Sequence, residues 1–180
     1  MTDNSSRKPS PLVRISGRYG LFGSLVAIIA ILVLYYVNRH PLLIPLAFDL
    51  RILLFALFIV FSIKEFKNFN QKALHYWQGL AVGIITYVMI ALLASIFIWV
   101  FAGAFDPDFV NEYIRLSIDK LNSHKPAIIQ SLGQDKYDFA IERLPHTTAG
   151  NLAFDYFLKS MPIGFILTLI ISLFLRQQPK

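Results

Sequence analysis

The sequence predicts an all-α integral membrane protein: four transmembrane helices, with a short helical extracytoplasmic hairpin between the third and the fourth. Three observations lead there. The run from Gly79 to Phe105 is uncharged and mostly apolar, and it exceeds the roughly 20 residues that cross a bilayer as a helix. The 180-residue chain is 56% hydrophobic and only 16% charged, against about 25% charged in an ordinary soluble domain. Its net charge of +6 is unevenly placed along the chain, a pattern that speaks to orientation in a membrane and not to nucleic acid.

The spans are expected at about 21–37, 46–63, 79–105 and 152–175 of a transmembrane domain covering 19–175, after a basic cytoplasmic tail at 1–18. The basic start followed by apolar Tyr19 to Val37 imitates a signal peptide. The apolar run outlasts the 7–15 residues of a signal core and ends without a small-x-small cleavage site, so it reads as a retained span. Tyr19, Tyr35 and Tyr36 fall where amphipathic rings prefer to sit. Gly20/Ser24 and Gly23/Ala27 are small-xxx-small pairs that let helix backbones approach, which makes Gly20 and Gly23 candidate packing residues.

Asn38-Arg39-His40-Pro41 breaks the first helix, and Pro45 can open the next, because its missing N–H costs nothing in a first turn. Span two is short. From Arg51 to Lys64 the helix advances about 20 Å, whereas the hydrocarbon is about 30 Å thick. Either both side chains snorkel to the interfaces, or Asp49 and Arg51 sit within the bundle as a candidate intramembrane polar site. Past Lys64 the helix is expected to continue. Phe66 and Phe69 share a face there, with Lys64, Lys67 and Asn68 turned to the head groups. Span three carries Gly79-x-x-x-Gly83, then Tyr87, Ala91 and Ser95 at further four-residue steps, so Gly79, Gly83, Ala91 and Ser95 mark a face for a neighbouring helix.

Asp106-Pro107-Asp108 has the acidic cap and early proline of a helix start, and apolar positions recur at helical spacing from Phe109 to Leu121. Pro126 should open a second short helix that Gly133 stops, and Asp135 to Leu144 a third. Together, 106–151 is too short for a core of its own. In the last span Thr148 is a candidate cap, Asp155 and Lys159 are placed to pair, and Pro162 should kink the helix. Residues 176–180 form a second cytoplasmic tail. The two tails and the Lys64–Gln78 link hold nine Lys/Arg against Asp3 and Glu65, while the other side holds eight against nine acids. The basic side faces the cytoplasm, with both termini inside and the hairpin outside.

No catalytic, cofactor or metal site is expected. The chain has no cysteine, hence no thiolate chemistry. His40, His75, His124 and His146 lack metal-ligand spacing and read as surface histidines. Caps and a solvated turn account for Asp106/Asp108 and Asp135/Asp138. The leading function is therefore a non-enzymatic scaffold or accessory subunit, with the lipid bilayer around it and a protein partner or second copy on its small-residue faces. The alternative is a small transporter or channel subunit using Asp49 and Arg51 in a homo-oligomer. A membrane enzyme working through the hairpin has thin motif support.

Ile63-Lys64-Glu65-Phe66-Lys67-Asn68-Phe69-Asn70, Gln78-Gly79-Leu80-Ala81-Val82-Gly83, Phe105-Asp106-Pro107-Asp108-Phe109 and Met161-Pro162-Ile163-Gly164 follow one another in an order and spacing that resembles the four-span domain-of-unknown-function family numbered 4199. The likeness runs from about Arg14 onward. That family is found chiefly in Bacteroidetes-type bacteria. The resemblance implies an inner (plasma) membrane location and supplies no activity. This chain departs where the family often has paired glycines after the asparagine. Gln71-Lys72-Ala73 stand here instead, which argues against a tight turn.

Overall fold

The computed structural model describes residues 10–37, 39–45, 49–71 and 73–176. The expected opening of span two at 46–48, the first nine residues of the basic tail and the last four of the chain lie outside the described residues. The described chain is helical, with no extended strand among its described residues. In order come α1 (Pro11–Tyr36), a 3-10 turn (Pro41–Leu43), α2 (Leu50–Phe69), α3 (Tyr76–Val100) ending in a π turn (Phe101–Phe105), α4 (Asp108–Ser123), α5 (Lys125–Leu132), α6 (Gln134–Arg143), a 3-10 turn (Leu144–His146) and α7 (Ala149–Leu175). Three stretches are long and apolar enough to cross a membrane: Pro11–Tyr36, Tyr76–Phe105 and Ala149–Leu175. Large apolar side chains point outward along them, as Phe22 (60% exposed) and Phe174 (81%) do. An apolar surface of that kind needs lipid or protein to cover it.

The chain divides into two compact units. The first takes residues 1–27, 50–93 and 159–180, and small residues set its helix contacts. A Cβ built on Gly20 would lie 2.7 Å from Met89 Cβ, and one on Gly23 2.5 Å from Ile90 Cδ1, so α1 meets α3 across bare backbone. Helices α3 and α7 meet in antiparallel register. Gly79 faces Ser172, Gly83 faces Thr168, and Gly164 faces the ring of Tyr87. Ser160, Gly164, Thr168 and Ser172 form a four-residue row on α7 and are all buried. Thr168 of this row donates back to the Gly164 carbonyl (2.7 Å), as Ser16 does to Leu12 (2.8 Å) and Ser24 to Leu21 (2.8 Å) on α1. Pro162 sits inside α7, which stays one continuous helix, although its ring leaves the Leu158 carbonyl without the usual N–H.

Charge clamps one end of this unit. Arg18 pairs with Glu65, whose Oε2 also accepts from the Tyr19 hydroxyl (2.7 Å). Lys67 donates to the Leu175 carbonyl at the end of α7 (3.2 Å), where a cation complements the helix dipole. Helix α1 starts at Pro11, ahead of the expected span start at about Leu21, and includes the paired Arg18. Phe66 is buried, whereas Phe69, one turn on at the last residue of α2, is exposed. The link after α2 does turn tightly. Ala73 N donates to Asn70 O (3.0 Å), and Gln71 takes a left-handed φ of 53° that disfavours a side chain.

The second unit takes residues 28–49 and 94–158. Asp106 opens α4: its Oδ1 accepts from the Asp108 N–H (3.2 Å) and its Oδ2 from the Tyr35 hydroxyl (3.0 Å). Gly133, at φ 90°, separates α5 from α6. Thr148 caps α7, its Oγ1 accepting from the Asn151 N–H (3.2 Å).

Two substitutions test this packing. Gly164→Ala should cost about 1–3 kcal/mol, because the added Cβ lies 2.3 Å from Tyr87 Cδ2. Gly17→Ala, whose Cβ meets Met89 Sδ at 3.9 Å, should be neutral or gain up to about 1 kcal/mol from helix propensity. Unfolding in mixed detergent micelles reads both, and equal effects would contradict the close α3–α7 contact. By the same assay, Gln71→Gly should stabilise by about 0.5–1 kcal/mol, since glycine carries no penalty at that φ.

Candidate functional site

Three groups of side chains carry the chemistry of this chain. The first is the expected polar pair. Arg51 opens α2, half-buried, and its Nη1 donates to the Ser160 hydroxyl on α7 (3.3 Å). Fourteen helical steps separate Arg51 from Glu65, about 21 Å, against about 30 Å of hydrocarbon. Asp49 is half-buried just before the helix. Both residues have interactions within the protein, so neither is a bare charge.

The second group is the set of expected packing residues. Gly20, Gly23, Gly79, Gly83 and Ala91 are buried on α1 and α3 in the first unit. Ser95 is buried on α3 in the second. Beside them Ser62 Oγ and Thr86 Oγ1 lie 3.0 Å apart between α2 and α3, and the Thr86 hydroxyl also reaches the Val82 carbonyl (2.8 Å). The matching row Ser160-Gly164-Thr168-Ser172 was readable as a four-residue spacing.

The third group lies in the second unit. His40 is not a surface histidine: it is 4% exposed, with ring neighbours Tyr35, Phe109 and Tyr113 at 6.4, 4.5 and 5.4 Å. Its Nδ1 accepts from the Leu42 N–H (3.4 Å), so Nε2 carries the hydrogen donated to the Phe109 carbonyl (3.1 Å). Burial pushes its pKa down to about 4, because a charged imidazolium would lose its water. His75, His124 and His146 are exposed, as surface histidines are. Among the described residues, no cluster of three or more His, Cys, Asp or Glu is placed to hold a metal.

The same unit contains a cleft of about 890 Å³ between α4, α5, α6, the Leu144–His146 turn and the start of α7. Tyr113, Leu121, Ile128, Leu144 and Leu152 give it apolar walls, and Lys120, Arg143 and Asp155 charge its lining. Ser117, 8% exposed, also lines it, and its Oγ has no hydrogen-bond partner. Sequence periodicity showed which face of α4 is apolar, but not that α5 and α6 leave room above it. Spacing within one helix carries no information about the gap to another.

The protein-family model described as "Protein of unknown function (DUF4199)" matches residues 18–177. No curated protein and no solved structure matches the chain.

The buried histidine sets a pH dependence. The folded state keeps His40 neutral down to about pH 4, while the unfolded chain takes up that proton near pH 6.5. His40 therefore contributes stability that is fully present above pH 6.5 and is lost as pH falls towards 4, by about 1.4 kcal/mol per unit at most. Thermal unfolding in detergent at pH 7.5 and 4.5 should show a smaller drop for His40→Gln than for the natural chain. An imidazole NMR signal from His40 titrating near 6.5 would contradict the assignment.

Proposed function

The chain belongs to the DUF4199 family of proteins of unknown function, and from that membership we propose that it is a non-enzymatic scaffold or accessory subunit of the bacterial inner membrane. It crosses the bilayer four times, with α2 as the fourth span beside the three longer ones. Both termini face the cytoplasm, and α4–α6 form the extracytoplasmic hairpin.

The observation that carries the reading is where the polar groups inside the helical segments are spent. Ser16, Ser24 and Thr168 bond to their own helices, and Ser62 meets Thr86. Glycines lie directly against neighbouring side chains. Groups committed this way hold helices together at fixed distance. They do not line a path for an ion, which needs ionisable groups facing water. The outward apolar belt leaves room for lipid and for a protein partner or second copy.

One observation favours the alternative, a transporter or channel subunit. Arg51 bonds a serine on another helix about 21 Å along α2 from Glu65, short of the full hydrocarbon depth. In that reading Arg51 and Asp49 border a wet cavity.

Because the chain has no cysteine, single cysteines report topology cleanly. A membrane-impermeant maleimide should label Gln130→Cys in intact cells and label Lys180→Cys only after permeabilisation. The reverse pattern would overturn the orientation. Affinity purification in mild detergent should then return a stoichiometric partner or a defined homo-oligomer. A monodisperse monomer that moves a substrate in proteoliposomes, and fails to do so as Arg51→Gln, would replace the scaffold reading with the transporter one.

A further inference from the structure

The cleft of the second unit joins three features that a simple packing role does not use. Its volume, about 890 Å³, is in the range of sites that enclose a small molecule. Its walls are largely apolar, from Leu43, Tyr113, Leu121, Ile128, Leu144 and Leu152. Its charged lining is uneven: Lys120 and Arg143 stand against a single carboxylate in number, Asp155, which already has an interaction within the protein.

Ser117 adds an independent sign. Its hydroxyl is more than nine-tenths buried, lines the cleft and has no hydrogen-bond partner. Hydroxyls elsewhere on these helices bond back to their own backbones, as Ser123 does to the Lys120 carbonyl (2.9 Å) and Ser131 to Ile128 (3.2 Å). Buried polar atoms are almost always partnered, so a hydroxyl left open at the wall of a cavity is placed to meet a group that enters it.

We propose that this cleft binds a single-chain anionic amphiphile, an acyl chain with one carboxylate or phosphate head. The apolar walls hold the chain, Lys120 and Arg143 pair with the head, and Ser117 bonds one of its oxygens. The chemistry of the lining selects this class. A free inorganic anion would leave the apolar walls without contact and would have to shed its water to enter. A neutral hydrocarbon would leave both cations and Ser117 unused. Lys120 and Arg143 keep donors to spare. The lysine reaches the Leu43 carbonyl at 3.5 Å, and the arginine lies over the Phe139 ring, 5.1 Å from its centre, with guanidinium N–H groups suited to carboxylate or phosphate. This inference does not depend on the scaffold reading, because a binding module, a subunit and a transporter could each hold such a ligand.

The test uses the full chain in neutral detergent with three probes: oleate, oleoyl-lysophosphatidylglycerol and oleoyl-lysophosphatidylcholine. Native mass spectrometry should show one-to-one adducts with either anionic probe and none with the zwitterionic one. The double variant Lys120→Glu/Arg143→Glu, changed at exposed positions, should weaken the anionic adduct at least tenfold, and Ser117→Ala should weaken it several-fold. Lys136→Glu, exposed and away from the lining, should leave it unchanged. Equal retention of the zwitterionic probe, indifference to the double charge reversal, or an equal loss with Lys136→Glu would each overturn the proposal.

Discussion

The antiparallel seam between α3 and α7 is the constraint on which the rest of the first unit depends. In lipid, apolar side chains gain nothing by leaving solvent for a neighbouring helix, so close approach must come from van der Waals contact over bare backbone. Here glycine and bulk alternate across the seam. Gly83 receives Thr168, and Gly164 receives the ring of Tyr87, two steps along the same row. Each glycine has its filler on the opposite helix, which fixes register as well as distance: sliding one helix by a turn would set Tyr87 against Thr168 or Ser160. The Thr168 hydroxyl in the seam stays compatible with that density because it bonds within its own helix and asks nothing of the partner.

The same logic shows how much of the architecture could be read in advance. Each long apolar run became a helix, and the starts and stops written in side-chain chemistry kept their places: Asp106 before α4, Gly133 between α5 and α6, Thr148 before α7. What went unread depended on partners distant in sequence. Arg14 and Arg18 looked like a tail because charge repels lipid, but Glu65, 47 residues on from Arg18, pairs with it, and α1 begins at Pro11. His40 looked like a surface residue because nothing beside it in sequence announces Phe109 and Tyr113. Gln71 shows that a glycine-free turn can still close. The chain accepts a strained φ there because the ends of α2 and α3 must be joined within a few residues.

Helix α2 illustrates a second conflict. Its twenty residues span about 30 Å, just the hydrocarbon thickness, yet its last turns carry Lys64, Glu65 and Lys67. Two of those charges are engaged: Glu65 by Arg18 and Tyr19, Lys67 by the end of α7. At the other end of α2, Arg51 is half-buried. A hydroxyl acceptor from Ser160 answers part of its need for partners. Arg51 and Ser160 also have further interactions within the protein, so the guanidinium is not left bare.

Among the described residues two buried hydroxyls lack a hydrogen bond, Ser117 and Ser172, and their surroundings differ. Each open hydroxyl costs about 1–3 kcal/mol. Ser172 sits against Gly79, where even a Cβ would come within 3.2 Å of its Oγ. No ligand fits there, and the unmet bond is the cost of bringing two backbones together. Ser117 faces a cavity walled by three short helices and the start of α7. Its open bond lies at the lining of a cleft and not between two helix backbones in contact. Among the described residues this open hydroxyl shares its cleft with two cations, and an occupant of the cleft would meet all three.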